Sequence, residues 1–144
     1  LEIDEGVTMV EPLIVKMEEI TPVDRGIGAK TYPLVGSEAG AELLSVGVSA
    51  FEPGVAVPMH AHNVEEVVMV LEGTGECTVD GVTHPVKTSD TTFIPSGRNH
   101  CFRNTGSSTM RILWIYGSTD VTRTFTETGV TVPHLSEADR IGRQ

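Results

Sequence analysis

Short apolar runs recur along most of this chain, roughly every eight to twelve residues, and a turn-forming cluster closes each one. That rhythm leaves little room for helices of ordinary length and matches the strand spacing of a β-sandwich or barrel. Residues 43–51 read as a strand closed by the Glu52-Pro53-Gly54 turn. Residues 55–62 alternate, and the apolar run 67–71 stops at Gly73. Residues 76–79 and 82–86 flank Asp80-Gly81, a two-residue hairpin signal because both turn positions need φ > 0. Residues 91–94 and 100–104 lie on either side of Pro95-Ser96-Gly97, and 110–116 form the last clear strand. The chain is rich in Val and Thr, whose branched Cβ suits a pleated surface and stiffens in a helix. The fold class is all-β.

The flanks are less regular. Residues 8–15 could pair only at a sheet edge, because Pro12 lacks a ladder donor. Residues 21–40 carry Pro22, Gly26, Gly28, Pro33, Gly36 and Gly40 and read as an irregular arm. Threonine occupies every second position from Thr122 to Thr128, which suggests a further edge strand, and Ser136 with Asp139 could cap one helical turn. A single domain is expected over 1–144, with an N-terminal arm to 41, a barrel core over 42–117 and a C-terminal tail from 118. The net charge of −10, from 20 acidic and 10 basic side chains, opposes binding to nucleic acid or an anionic membrane. No run approaches the ~20 apolar residues of a membrane span. Two scattered cysteines, Cys77 and Cys101, make no disulfide framework, so a cytoplasmic protein is expected.

The chemistry-bearing residues are His60, His62, Glu66 and His100. His60 and His62 are two apart, so on a strand both imidazoles leave the same face, and Glu66 keeps that parity while Glu65 does not. The turn at 95–97 would swing His100 alongside. Three imidazoles and a carboxylate suit iron, manganese, nickel, copper or zinc and leave about two positions open on a six-coordinate ion. His-x-His on a strand equally describes a solvent-facing pair, so the spacing alone leaves both readings open.

Two stretches bear on that choice. Gly54-(5 residues)-His60-Ala-His62-(3 residues)-Glu66-(6 residues)-Gly73 resembles the first cupin motif at every specified position. Ser89-(5 residues)-Pro95-Ser-Gly97-(2 residues)-His100-(3 residues)-Asn104 resembles the second, with Ser89 where the family usually has Gly. The resemblance implies a six-to-eight-stranded jelly-roll barrel, with His60, His62, Glu66 and His100 as ligands of one divalent transition metal inside it. Ser89 falls at a turn that favours φ > 0, a conformation costly for any residue with a Cβ.

The resemblance further implies an enzyme acting on a small oxygenated organic compound, with a dioxygenase favoured. A metal-dependent isomerase, a lyase or decarboxylase, and a non-catalytic ligand-binding cupin are the alternatives. Glu66 speaks against the thiol dioxygenases, which usually use three histidines and no carboxylate. Phe102 shares the parity of His100 and should line the pocket, while Cys101 should face away. Asn104 should satisfy backbone groups at a turn, and Cys77 should be a buried, inert thiol. Arg98, Arg111, Trp114 and Tyr116 are weaker candidates for substrate contact, and His84 and His134 are expected to be peripheral. Runs 67–71 and 112–116 are apolar at both parities, so both faces should be covered, and a homodimer is expected.

Overall fold

The structure is a computed structural model and describes residues 10–140. Twelve strands are found among the described residues, arranged as two six-stranded sheets. The strands are β1 (Val23–Gly26), β2 (Ala29–Val35), β3 (Ser45–Phe51), β4 (His60–His62), β5 (Glu66–Glu72) and β6 (Thr74–Val79). They continue with β7 (Val82–Lys87), β8 (Thr91–Ile94), β9 (His100–Asn104), β10 (Met110–Tyr116), β11 (Thr122–Phe125) and β12 (Thr131–Pro133). One sheet runs β1-β2-β3-β10-β5-β8 and the other β12-β11-β4-β9-β6-β7, with every pairing antiparallel. This is the expected jelly roll, with more strands than the six to eight expected.

The core follows from alternation. On β10, Met110, Ile112, Trp114 and Tyr116 are buried while the residues between them are half-buried, because β10 lies between β3 and β5 in mid-sheet. Gly47 stands directly opposite Trp114 on β3, and a Cβ there would run into the indole ring. Hydrogen bonds from Trp114 Nε1 to Ser49 Oγ (3.1 Å) and between Ser49 Oγ and Thr31 Oγ1 (3.0 Å) satisfy the polar atoms that this packing buries. Asp80 and Gly81 both take positive φ and close the β6–β7 hairpin as expected. Ser89 has φ 78°, so the turn that departs from the family motif does adopt the glycine-favouring conformation.

Five expectations need correcting. The presumed arm over 21–40 instead contributes β1 and β2, joined through Gly26-Ile27-Gly28, all at positive φ. Positions 8 and 9 lie outside the described residues, and 10–15 form no strand. Within 55–62 only His60–His62 is a strand, with Ala56 making a lone bridge to Arg103. The threonine-rich segment supplies β11, which is internal: β12 pairs on one side and β4 on the other. A short 3-10 turn does form at Glu137–Asp139, but Ser136 makes no side-chain cap to it; its hydroxyl donates to Pro133 O at 2.7 Å.

Candidate metal centre

β4 turns His60 and His62 to the interior and leaves Ala61 half-buried between them. His100, the first residue of β9, is paired directly with His60. Glu66 opens β5 in the opposite sheet, in register with Tyr116 of β10. All four side chains are buried, and one candidate nitrogen from each of the three histidines lies within 4.8 Å of the other two. Glu66 Oε1 is 2.9 Å from His100 Nε2 and 3.9 Å from His62 Nε2. Two sheets facing each other thus bring together residues that are far apart along the chain.

Each ring is held from behind. His60 Nδ1 lies 2.6 Å from Pro58 O, His62 Nδ1 2.9 Å from Thr122 O, and His100 Nδ1 2.9 Å from Arg98 O. A carbonyl oxygen only accepts, so each Nδ1 must carry the proton and donate it. In the neutral ring, Nε2 is then a bare lone pair aimed inward, which is the arrangement that backbone acceptors give metal-ligating histidines. Burial lowers the pKa of His60 well below its ordinary value, and that of His62 to about 4, which favours the neutral rings. His100 Nε2 has no hydrogen-bond partner although a carboxylate oxygen stands 2.9 Å away. If Nε2 is bare, it and the carboxylate oxygen are both acceptors, and the cation they then share is a metal ion or a proton. The residues therefore fit a metal.

Around these four stand residues that sequence reasoning set aside. The Tyr116 hydroxyl is 3.2 Å from His62 Nε2 and 3.5 Å from His134 Nε2. His134 is not peripheral: its ring sits edge-on to Trp114 and Tyr116, with centroids 5.1 and 4.9 Å apart, and burial lowers its pKa to about 2. Burial also holds the Tyr116 phenol well above its usual pKa. Two further residues were not singled out at all. Arg123 is paired with His62 across β11 and β4, and Arg25 comes from β1; both are buried. Asp139, fully buried, forms ion pairs with both guanidiniums at 3.3 Å. The alternation of Thr122, Arg123 and Thr124 was the available signal, since outward threonines put Arg123 inside.

The remaining candidates fall as follows. Phe102 is buried and lines the cavity between the histidines, and Cys101 is half-buried on the other face of β9. Cys77 is a buried free thiol whose pKa burial raises to about 11. Asn104 donates to Phe51 O and Ser108 O and accepts from Gly106 N, as a turn-holding residue does. Arg98 pairs with Asp80 (2.6 Å) and Arg111 with Glu72 (3.4 Å), both at the surface, and His84 is exposed. A larger groove of about 530 Å³ shares Trp114 and His134 with the lining of the histidine cavity.

The cupin domain family profile matches residues 47–116, the span that contains the three histidines and Glu66. Protein SchB of Streptomyces halstedii is 34% identical over 105 residues, which cover 72% of this chain and 76% of SchB. The chain belongs to the cupin family. Polyketide synthase CurC of Streptomyces cyaneus is also similar, 31% identical over 106 residues covering 73% of this chain and 69% of CurC. Among solved structures, that of a predicted oxalate decarboxylase from Thermotoga maritima matches with a TM-score of 0.65 and 29% identity. It covers 74% of this chain and 99% of that one. Relatives matched over less of their length include two 1,2-dioxygenases, of which the chain covers 31% and 30%. The family thus spans several reaction classes at low identity to this cupin.

Proposed function

We propose that this cupin is a metal-dependent enzyme that binds an oxygenated organic anion beside a cation held by His60, His62, Glu66 and His100, with dioxygenase-type cleavage as its reaction. The observation that carries this reading is the set of three imidazoles, each with Nδ1 against a backbone carbonyl and Nε2 turned inward, gathered beside a buried carboxylate. A bound transition metal would supply Lewis-acid polarisation and, for iron, manganese, nickel or copper, redox access to dioxygen. The chain's own residues do the rest. The backbone acceptors hold the imidazoles in one tautomer, and Phe51, Phe102, Ile112 and Trp114 exclude water from the cavity. The Tyr116 hydroxyl, neutral and poised between His62 and His134, is the group placed to donate a hydrogen bond to substrate oxygen.

A second reading is non-oxidative chemistry on an enolate, as in an isomerase, a lyase or a ring-closing enzyme. It is favoured by the similarity to the predicted oxalate decarboxylase of Thermotoga maritima, which covers 74% of this chain and 99% of that one. Oxygen-electrode assays of protein loaded separately with each metal, against hydroxyaromatic acids and 1,3-dicarbonyl compounds, decide between them. Oxygen uptake with stoichiometric product supports the first reading. Turnover that proceeds undiminished under argon replaces it with the second. Saturable binding with no turnover at any metal would make this cupin a binding module.

A further inference from the structure

The metal cavity is lined by two cations that the ligand set does not require. Arg123 is cross-strand partner to His62 and projects from the same face of the same sheet. Arg25 reaches the cavity from the other sheet, donating to Asp139 O at 2.8 Å and to Thr31 Oγ1 at 3.4 Å. Both side chains are 4% exposed, and one carboxylate, Asp139, forms ion pairs with both. Glu66 is engaged with the histidines. Two guanidiniums share one carboxylate in a desolvated place, and Glu66 supplies the only other negative charge among the residues that line the cavity. Arg123 Nη1 and Arg25 Nε find no hydrogen-bond partner there, and Arg123 Nε has only its 3.3 Å ion pair with Asp139. Buried unpaired charge is among the most expensive features a fold can carry. The cost grows when a metal cation joins it, because two positive centres then share one low-dielectric cavity.

An anion lying between the guanidinium and the metal removes both penalties at once. We infer that Arg123, supported by Arg25 and oriented by Asp139, is the seat for a carboxylate of the substrate, so that the substrate class is a carboxylic acid with a second oxygen beside the carboxylate. The carboxylate accepts from the Arg123 fork while the second oxygen faces the histidines. The planar fork matches a carboxylate with two parallel hydrogen bonds, a geometry lysine cannot reproduce. Any bulkier part of the acid extends past Trp114 and His134 into the adjoining groove. The inference rests on the metal reading above, and its test must separate the two.

Two probes do so: oxalate, which brings a second carboxylate, and acetohydroxamate, which chelates a metal through two oxygens as a monoanion without one. Binding of each to nickel-loaded protein is measured by calorimetry, for wild type and Arg123→Gln, with metal content determined before and after. The expected result is oxalate binding weakened at least tenfold in Arg123→Gln, with acetohydroxamate affinity and metal content within twofold of wild type. Oxalate affinity unchanged in the variant overturns the assignment, as does loss of metal from it, which would make Arg123 a support of the metal site. If wild type holds no nickel and binds neither probe, the metal reading fails and takes this one with it. Should Arg123→Gln not fold, Arg123→Lys carries the test, since it keeps a charge opposite Asp139 and loses the fork. Oxalate must then weaken at least fivefold with acetohydroxamate unchanged, and equal oxalate affinity overturns the proposal.

Discussion

At the scale of single residues, the centre asks different things of neighbours that look alike. Glu66 is buried against the histidines, whereas Glu65, just before β5, is exposed. Glu66→Gln should therefore lose metal affinity by at least tenfold, and Glu65→Gln should be silent; elemental analysis after dialysis reads both. His60→Ala and His100→Ala should each strip most of the metal, because three remaining donors hold a divalent ion far less tightly. His134 gives a prediction in pH. Its pKa is about 2 in the fold and about 6.5 when unfolded. Below pH 6.5 the unfolded chain takes up a proton that the folded one refuses, so stability falls as pH drops from 6.5 towards 2. One such group contributes at most about 1.4 kcal/mol per pH unit. His134→Gln should flatten the fall by up to that amount, as read from urea midpoints at pH 7, 6 and 5. An unchanged slope would mean that His134 titrates normally.

At the scale of strands and turns, the molecule shows what a sequence discloses and what it conceals. The strands at 91–94, 100–104 and 110–116 are found at their expected limits, because apolar alternation bounded by Pro and Gly has few other solutions. The histidine pair was legible for the same reason, parity being fixed once β4 is a strand. β1 and β2 were missed because Gly26, Gly28 and Pro33 read as breakers. In the structure the two glycines form the turn between the strands, and Pro33 lies where the register slips before Val35. Arg123 was missed because a charged side chain between threonines reads as solvent-facing, and what buries it, Asp139, lies sixteen residues further on. Ser89 offers a test of the turn itself. At φ 78° its Cβ is strained, so Ser89→Gly should stabilise the protein by about 0.5–1 kcal/mol in urea unfolding. Gly47→Ala should do the reverse by about 1–3 kcal/mol, since the new methyl meets Trp114 across the β3–β10 pair.

At the scale of the whole molecule, the sheet containing β5 and β10 has an outer face that the single chain only half covers. Val67, Met69, Leu113 and Ile115 are half-buried, and Leu71 and Phe93 are exposed. Apolar strands at mid-sheet with this much outward surface favour a second copy as the cover, and we propose a homodimer through this face. Light scattering at micromolar concentration should report twice the 15.4 kDa chain mass, and Met69→Lys should return it to the monomer with metal content unchanged. Among the described residues no helix is long and apolar enough to cross a membrane. The buried charges span the molecule too. Removing Asp139 as Asp139→Asn should destabilise the fold by about 3–5 kcal/mol, because it strands two desolvated guanidiniums.

That clasp also has a temporal side. Arg25 and Asp139 are 114 positions apart, so on the ribosome the first strand is made long before its counter-ion exists. Arg123 follows His100, the last of the four candidate ligands, and Asp139 follows Arg123, so the guanidiniums gain their shared counter-ion only when the final 3-10 turn packs against β1 and β11. Folding of that side of the interior therefore couples the first strand to the last turn, and a chain lacking the turn would have to keep both guanidiniums solvated.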